Sequence, residues 1–333
     1  MSVPDPRAAR LSLALETPPS GRTAAFGPRA GADLSALGPA VEVITGFRPD
    51  HDAFAARGLV VRTAPEGRYA LSLVCLPRAR AAAQDLVAQA LACTDGKVLV
   101  DGQKTDGIDA ILRAARTRAG TGDPVIKAHG KLFALDGAAH AAFADWHAGP
   151  RRLADGFVTR PGVFSADGPD PGSRLLAGAL PARLPGRVAD LGAGWGWLGA
   201  QVLTRDGVSG LDLVEADLAA VACARDNLDD ARVRVHWADA TAFQPDAPFD
   251  TVVMNPPFHP GRAGDPALGT AFIAAAARML APHGSLWMVA NRHLPYEAAL
   301  AATFREVTEH PGTPAYKLFH ARSPRRAGGR RPA

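Results

Sequence analysis

Lysine is scarce in this chain, standing only at Lys97, Lys104, Lys127, Lys131 and Lys317, so arginine supplies nearly all of the positive charge. The resulting net charge of +4 permits contact with nucleic acid without requiring it. Cysteine is equally thin. Cys75, Cys93 and Cys223 are odd in number and have no paired spacing, which gives neither a zinc framework nor a disulfide scaffold and fits reduced cytosolic thiols. No metal is expected. Long apolar runs are missing as well, so no transmembrane helix is expected. The start carries Pro4, Asp5 and Pro6 with only a brief apolar stretch from Leu11 to Leu15, which is no secretory signal. A cytoplasmic, monomeric protein is the expectation.

What is present is a chain of 333 residues, 47% hydrophobic and 21% charged, enough for two domains that each bury a core. Residues 1–40 are rich in Ala, Pro, Gly and Arg with weak periodicity, so a loosely structured start is expected, with an edge strand at most over Leu11–Glu16. Strands are read at Val41–Thr45, Leu59–Thr63 and Tyr69–Leu76, then a helix over Arg78–Cys93. Next come a strand at Lys97–Asp101, a helix at Gly107–Arg118 and a hairpin over Val125–Leu135. Alternating strands and helices indicate an α/β domain over 41–150. A boundary is placed at 145–160, and a second α/β domain over 155–322. Its strands are read at Arg187–Asp190, Leu211–Glu215, Val233–Trp237, Phe249–Met254, Ser285–Ala290 and Tyr316–Ala321, with helices at 217–228, 266–280 and 295–304. Residues 323–333 read as a disordered cationic tail.

Two motifs carry chemistry. Asn255-Pro256-Pro257-Phe258 follows the buried strand Phe249–Met254, and two prolines cannot continue a ladder. An amide is thereby left at the carboxyl end of a strand, where open α/β sheets bind ligands. A bare Asn-Pro also reads as a simple turn. Upstream, Asp190-Leu191-Gly192-Ala193-Gly194-Trp195-Gly196 follows another strand; its glycines allow a tight turn and bring bare backbone against a ligand. A dinucleotide fingerprint would place the third glycine where Trp197 stands. Glu215 ends the next strand, where a carboxylate can accept both hydroxyls of a ribose, or where a solvated loop acid can sit. Asp239-Ala240 ends the one after, where an acid can accept from an adenine amine.

Asn-Pro-Pro-Phe at a strand end resembles the catalytic motif of S-adenosylmethionine-dependent methyltransferases acting on planar amino groups. The glycine loop, ribose acid and adenine acid occur in the order that cofactor would need. The nitrogen of a planar amine is a poor nucleophile because its lone pair is delocalised. The Asn255 side-chain oxygen and the Pro256 carbonyl can accept its two hydrogens, which rehybridises and aims it. Phe258 offers a face for the target ring, of a kind worth roughly 1–3 kcal/mol per base, or packs in the core. His259 touches substrate or closes the loop.

The resemblance reaches further. Val100-Asp101-Gly102-Gln103, Gly107-Ile108, Pro161-Gly162-Val163-Phe164-Ser165, the glycine loop, Asn255–His259, Val289-Ala290-Asn291 and Leu294-Pro295-Tyr296 occur in an order similar to that of bacterial ribosomal RNA guanine 2-amino methyltransferases. The small-subunit enzymes look closest. The resemblance implies two tandem Rossmann-like methyltransferase domains, the C-terminal one catalytic and the N-terminal one a degenerate copy. It implies S-adenosylmethionine as cofactor, and ribosomal RNA or a ribosomal subunit as partner. The first half carries neither motif, which agrees. Glu215 stands where the family often has Asp, and Trp195 and Trp197 are bulky for the loop. Alternatives are a large-subunit RNA guanine, a DNA adenine or a protein glutamine amide as target, or a nucleotide-binding module without chemistry.

Overall fold

The computed structural model describes residues 5–257 and 266–325, and the chain divides into two compact units. The first runs through Pro150 and includes Arg160–Gly162; the second comprises Arg151–Thr159 and the chain from Val163. The first carries α1 (Pro6–Ala14), β1 (Thr23–Phe26), β2 (Glu42–Ile44), α2 (Arg48–Ala56), β3 (Val60–Arg62), β4 (Tyr69–Cys75), α3 (Arg80–Ala92), β5 (Thr94–Gln103), α4 (Ile108–Ala119), β6 (Val125–Lys127) and β7 (Gly130–Asp136). Its sheet has the order β3-β2-β1-β4-β5-β7-β6. All neighbours are parallel except β7, which runs against both β5 and β6.

The second unit opens with a small hairpin, β8 (Arg151–Arg152) and β9 (Val158–Thr159). It continues with α5 (Pro171–Ala179), β10 (Arg183–Leu191), α6 (Trp197–Leu203), β11 (Asp206–Glu215), α7 (Leu218–Asn227), β12 (Val233–Trp237), β13 (Phe249–Met254), α8 (Pro266–Met279), β14 (Leu280–Asn291), α9 (Glu297–Thr303), β15 (Phe304–His310) and β16 (Tyr316–Pro324). The order β12-β11-β10-β13-β14-β16-β15 repeats the first sheet strand for strand. Central strands such as β13 read as continuous apolar runs because both sheet faces are covered by helices.

The repeat is also visible in residues once the registers are known. At one constant offset, Asp5-Pro6, Leu11, Ala14-Leu15, Gly21-Arg22, Ala24 and Gly27 match Asp170-Pro171, Leu176, Ala179-Leu180, Gly186-Arg187, Ala189 and Gly192. Strand pairing carries the match across the sheets. Ala24 faces Glu42 as Ala189 faces Asp212, and each acid is bonded by the equivalent arginine, Arg22 or Arg187. The same registers set Ala25, Thr45 and Cys75 where the second unit has Asp190, Glu215 and Asn255.

Residues 5–40, expected to be loosely structured, carry defined elements. Asp5 caps α1 by accepting from Arg7 N, Pro6 opens the helix, and β1 lies in the middle of its sheet. The proposed edge strand at Leu11–Glu16 falls largely on that helix. Composition hid this order because α1 is held by charge: buried Arg10 donates to both oxygens of buried Asp101, and Arg7 adds a third bond at 2.7 Å. The corresponding pair in the second unit, Leu175 and Val289, is apolar. β15 went unread because it is an edge strand, mostly charged and polar, with only Phe304 fully buried. Of the expected disordered tail, Ser323 and Pro324 instead belong to β16 and Arg325 donates to the Phe304 carbonyl. The rest of the proposed tail lies outside the described residues.

Arg10→Ala leaves a buried carboxylate with Arg7 alone. A cost of about 3 kcal/mol is expected, the lower part of the range for breaking a buried pair. Urea unfolding of the full chain reads it, and Arg10→Met with Asp101→Leu should lose less than Arg10→Ala alone.

Candidate active site at the carboxyl edge of the second sheet

Four adjacent parallel strands, β12, β11, β10 and β13, end along one rim. Their ends carry, in order, Asp239, Glu215, the glycine loop and Asn255. The sheet therefore assembles the sequence motifs in one line.

The glycine loop is shaped by backbone that only glycine adopts freely: Gly192, Gly194 and Gly196 have φ of 74°, 55° and 87°. Each has its own reason. Gly192 abuts Phe272 and Pro257, so the loop lies against the Asn-Pro-Pro turn. Gly194 opens onto empty space, with nothing within 4 Å of where a Cβ would sit. Gly196 is packed on Leu228 and Ala224 as it starts α6; it makes the turn and does not line the pocket. Glu215 holds the loop from β11: its Oε2 accepts from Gly194 N at 2.7 Å and its Oε1 from Asp217 N at 2.8 Å.

Asp190, Gly192, Ala193, Gly194 and Asn255 line one pocket, together with Phe164, Ser165, Asp170, Ser173, Trp195, Trp197 and Leu198. Both tryptophans of the loop thus form its wall. Trp195 is buried, donates from Nε1 to the Phe164 carbonyl at 3.1 Å, and packs on Phe157. That bond ties segment 163–166 to the loop and leaves the Phe164 ring exposed at 56%. Asn255 donates from Nδ2 to Asp170 Oδ2 at 2.8 Å and to Ser173 Oγ at 2.9 Å.

Glu215, Asp239, Ala240, Pro256 and Pro257 are not among the residues that line this pocket. Asp239 turns Oδ1 onto Thr241 N and Oγ1, closing a tight turn, and Ala240 is buried in the core. Pro256 is buried and Pro257 exposed. Phe258 and His259 fall outside the described residues. Phe164, Asp170 and Ser173 were missed as site residues. A signal existed for the last two, because Asp170-Pro171-Gly172-Ser173 has the N-cap and first-turn proline of a helix start.

The electrostatics are those of a site awaiting a cation. Asp190 is 1% exposed, its Oδ2 has no hydrogen-bond partner among the described residues, and burial with the nearby Glu215 charge pushes its carboxyl up to about 8. Glu215 and Asp217 are also raised by burial, opposed by backbone N–H groups. S-adenosylmethionine carries a sulfonium and an α-ammonium, so a buried carboxyl with one oxygen left without a partner among the described residues, beside an open glycine turn, fits it. Among the described residues no cluster of three or more His, Cys, Asp or Glu could hold a metal, and no helix is long and apolar enough to cross a membrane.

The chain resembles known proteins over most of its length. Residues 155–320 match the model of the methyltransferase small domain family. A ribosomal RNA small subunit methyltransferase C from Shewanella sp. (strain MR-4) is 32% identical, over 76% of this chain and 77% of that one. Another, from Pseudomonas aeruginosa, is 34% identical over 74% of this chain and 76% of its own. Among solved structures, a T. thermophilus 16S rRNA N2 methyltransferase (RsmC) in complex with AdoMet and guanosine superposes with a TM-score of 0.77. It is 28% identical, and the match covers 95% of this chain and 92% of that one.

A carboxyl whose folded-state pKa is raised binds more protons folded than unfolded. Its contribution to stability is therefore full below the ordinary aspartate range and is lost as pH rises through about 8. The ligand-free protein should lose melting temperature between pH 5 and pH 9, roughly the span set by this shift. Asp190→Asn should flatten that slope, as differential scanning fluorimetry would show.

Proposed function

The chain belongs to the ribosomal RNA small subunit methyltransferase C family, and we propose that it methylates the exocyclic 2-amino group of a guanine in ribosomal RNA, with the small-subunit RNA as target. It is an S-adenosylmethionine-dependent methyltransferase. The observation that carries the substrate reading is the state of Asn255. Both its amide hydrogens are occupied, so among the described residues its Oδ1 remains to accept a hydrogen from a planar amine.

The roles of the site residues follow from position. Gly192, Ala193 and Gly194 present backbone to the cofactor, and Asp190 answers its positive charge. Glu215 is placed to reach the ribose while it holds Gly194; Asp239 takes the adenine side of the same rim. When bound, S-adenosylmethionine supplies an electrophilic methyl group on sulfur. Asn255 Oδ1 and the Pro256 carbonyl accept the two hydrogens of the target nitrogen, which turns its lone pair out of the ring system and towards that methyl. As the N–C bond forms the methyl–sulfur bond breaks with its electron pair left on sulfur, and one of the two hydrogens held by Asn255 Oδ1 and the Pro256 carbonyl departs to solvent as a proton. The gain is positioning and fixed dipoles, in a site walled by Trp195, Trp197 and Leu198. The exposed Phe164 ring at the pocket lip is a second face on which the target base can stack, beside the one assigned to Phe258. A guanine must leave its stack to enter, so single-stranded or loosely paired positions are favoured.

Two substitutions separate chemistry from cofactor binding. Asn255→Ala should cut methyl transfer on the order of 100-fold or more while leaving the S-adenosylmethionine dissociation constant nearly unchanged. Tritium transfer to RNA from cells lacking the enzyme, beside calorimetric titration, gives both numbers. Equal turnover by the two proteins would remove Asn255 from the mechanism. Glu215→Ala should instead weaken cofactor binding roughly tenfold or more, since it loses a charge-assisted acceptor and frees Gly194. An unaltered dissociation constant would reduce Glu215 to a loop acid.

A further inference from the structure

We infer that Asp170 and Ser173 are positioning residues for methyl transfer: they hold the Asn255 amide so that its oxygen, and not its nitrogen, meets the target amine. This rests on the functional reading above and adds two residues to it.

The chemistry of the contact sets its direction. An ionised carboxylate only accepts, so the amide group that faces Asp170 Oδ2 at 2.8 Å must be the NH2. Ser173 Oγ takes a second contact from the same nitrogen at 2.9 Å. A flipped amide would set Oδ1 against the carboxylate and offer N–H to a target that itself needs acceptors. The flip would therefore lose both the held bonds and the reaction geometry.

Asp170 is itself fixed. The same Oδ2 accepts from Ser173 N at 2.9 Å as the N-cap of α5. Tyr316 is nearby, and its phenol is raised by burial and by the Asp170 charge. Gly172 leaves room for both, because a Cβ there would stand 2.9 Å from Asp170 Oδ2 and 2.9 Å from the Tyr316 ring.

The first unit supplies an internal contrast. Asp5 keeps the cap at the corresponding position, accepting from Arg7 N. Where the second unit has Ser173 and Asn255, the first has Ala8 and Cys75. The cap thus persists without a side-chain amide to hold, Asp5 Oδ2 accepting instead from Asp33 N at 3.1 Å, while the serine hydroxyl occurs where the side-chain amide does. Capping accounts for the aspartate alone; it does not account for Ser173 Oγ on Asn255.

The test reverses the polarity of the pair in the full-length protein. Asn255→Asp sets two carboxylates against each other and should lower kcat at least 100-fold at pH 7. Adding Asp170→Asn removes one of the two charges and restores one donor and one acceptor, in exchanged places, at the expense of the N-cap bond that the same oxygen accepts from Ser173 N. The double variant should recover at least tenfold over Asn255→Asp. Ser173→Ala should lower kcat three- to tenfold with KM for RNA and the S-adenosylmethionine dissociation constant unchanged. Melting temperatures and cofactor titrations check that each variant is folded. With wild-type turnover in hand, a double variant no better than Asn255→Asp, together with wild-type kcat for Ser173→Ala, overturns the inference. Absence of wild-type turnover on RNA that lacks the modification, with cofactor still bound, overturns the functional reading instead and this inference with it.

Discussion

The site depends first on the carboxylate of Glu215, which spends both oxygens on backbone. By accepting from Gly194 and Asp217, it fixes the glycine loop at the end of β10 and the entry to α7 with one side chain. The cost is a second acid near buried Asp190, whose neutral form is favoured as a result. Two carboxyls in little water repel, and only an added positive charge relieves both.

The duplicated fold shows which residues the topology requires and which the chemistry requires. Both units keep the strand order, the left-handed glycines at Gly21 and Gly186, and an acid on the second strand bonded by an arginine from the first. Those features belong to the sheet. The first unit has Ala25, Thr45 and Cys75 where the second has Asp190, Glu215 and Asn255, so its rim has no acids for a cofactor and no amide for an amine. Cys75 is no substitute nucleophile, since burial pushes its thiol up to about 12.

How much the sequence disclosed follows from how each element is held. Strands buried on both faces, such as Phe249–Met254, announce themselves by apolar runs, and the glycine and Asn-Pro-Pro motifs by backbone chemistry. Elements held by charge stay hidden: α1 looks like polar leader because Arg7 and Arg10 are polar letters, although Asp101 takes them into the interior. Edge strand β15 hides for the opposite reason, as it buries too little to leave a pattern. The Asp170–Asn255 contact spans two segments that only the fold brings together, and the residues at 170–173 read on their own as a helix start.

β10 is central to its sheet, with β11 on one side and β13 on the other. The pocket wall draws on segments from Phe164 to Asn255, so no contiguous fragment ending before β13 contains it. Pairings between distant strands form slowly, because the closure entropy comes before the contacts that repay it. At roughly 5–20 residues per second of synthesis, the first unit is fully available to fold while Asn255 is still to be made. The pocket is therefore complete only once the chain past β13 has been made and paired with β10.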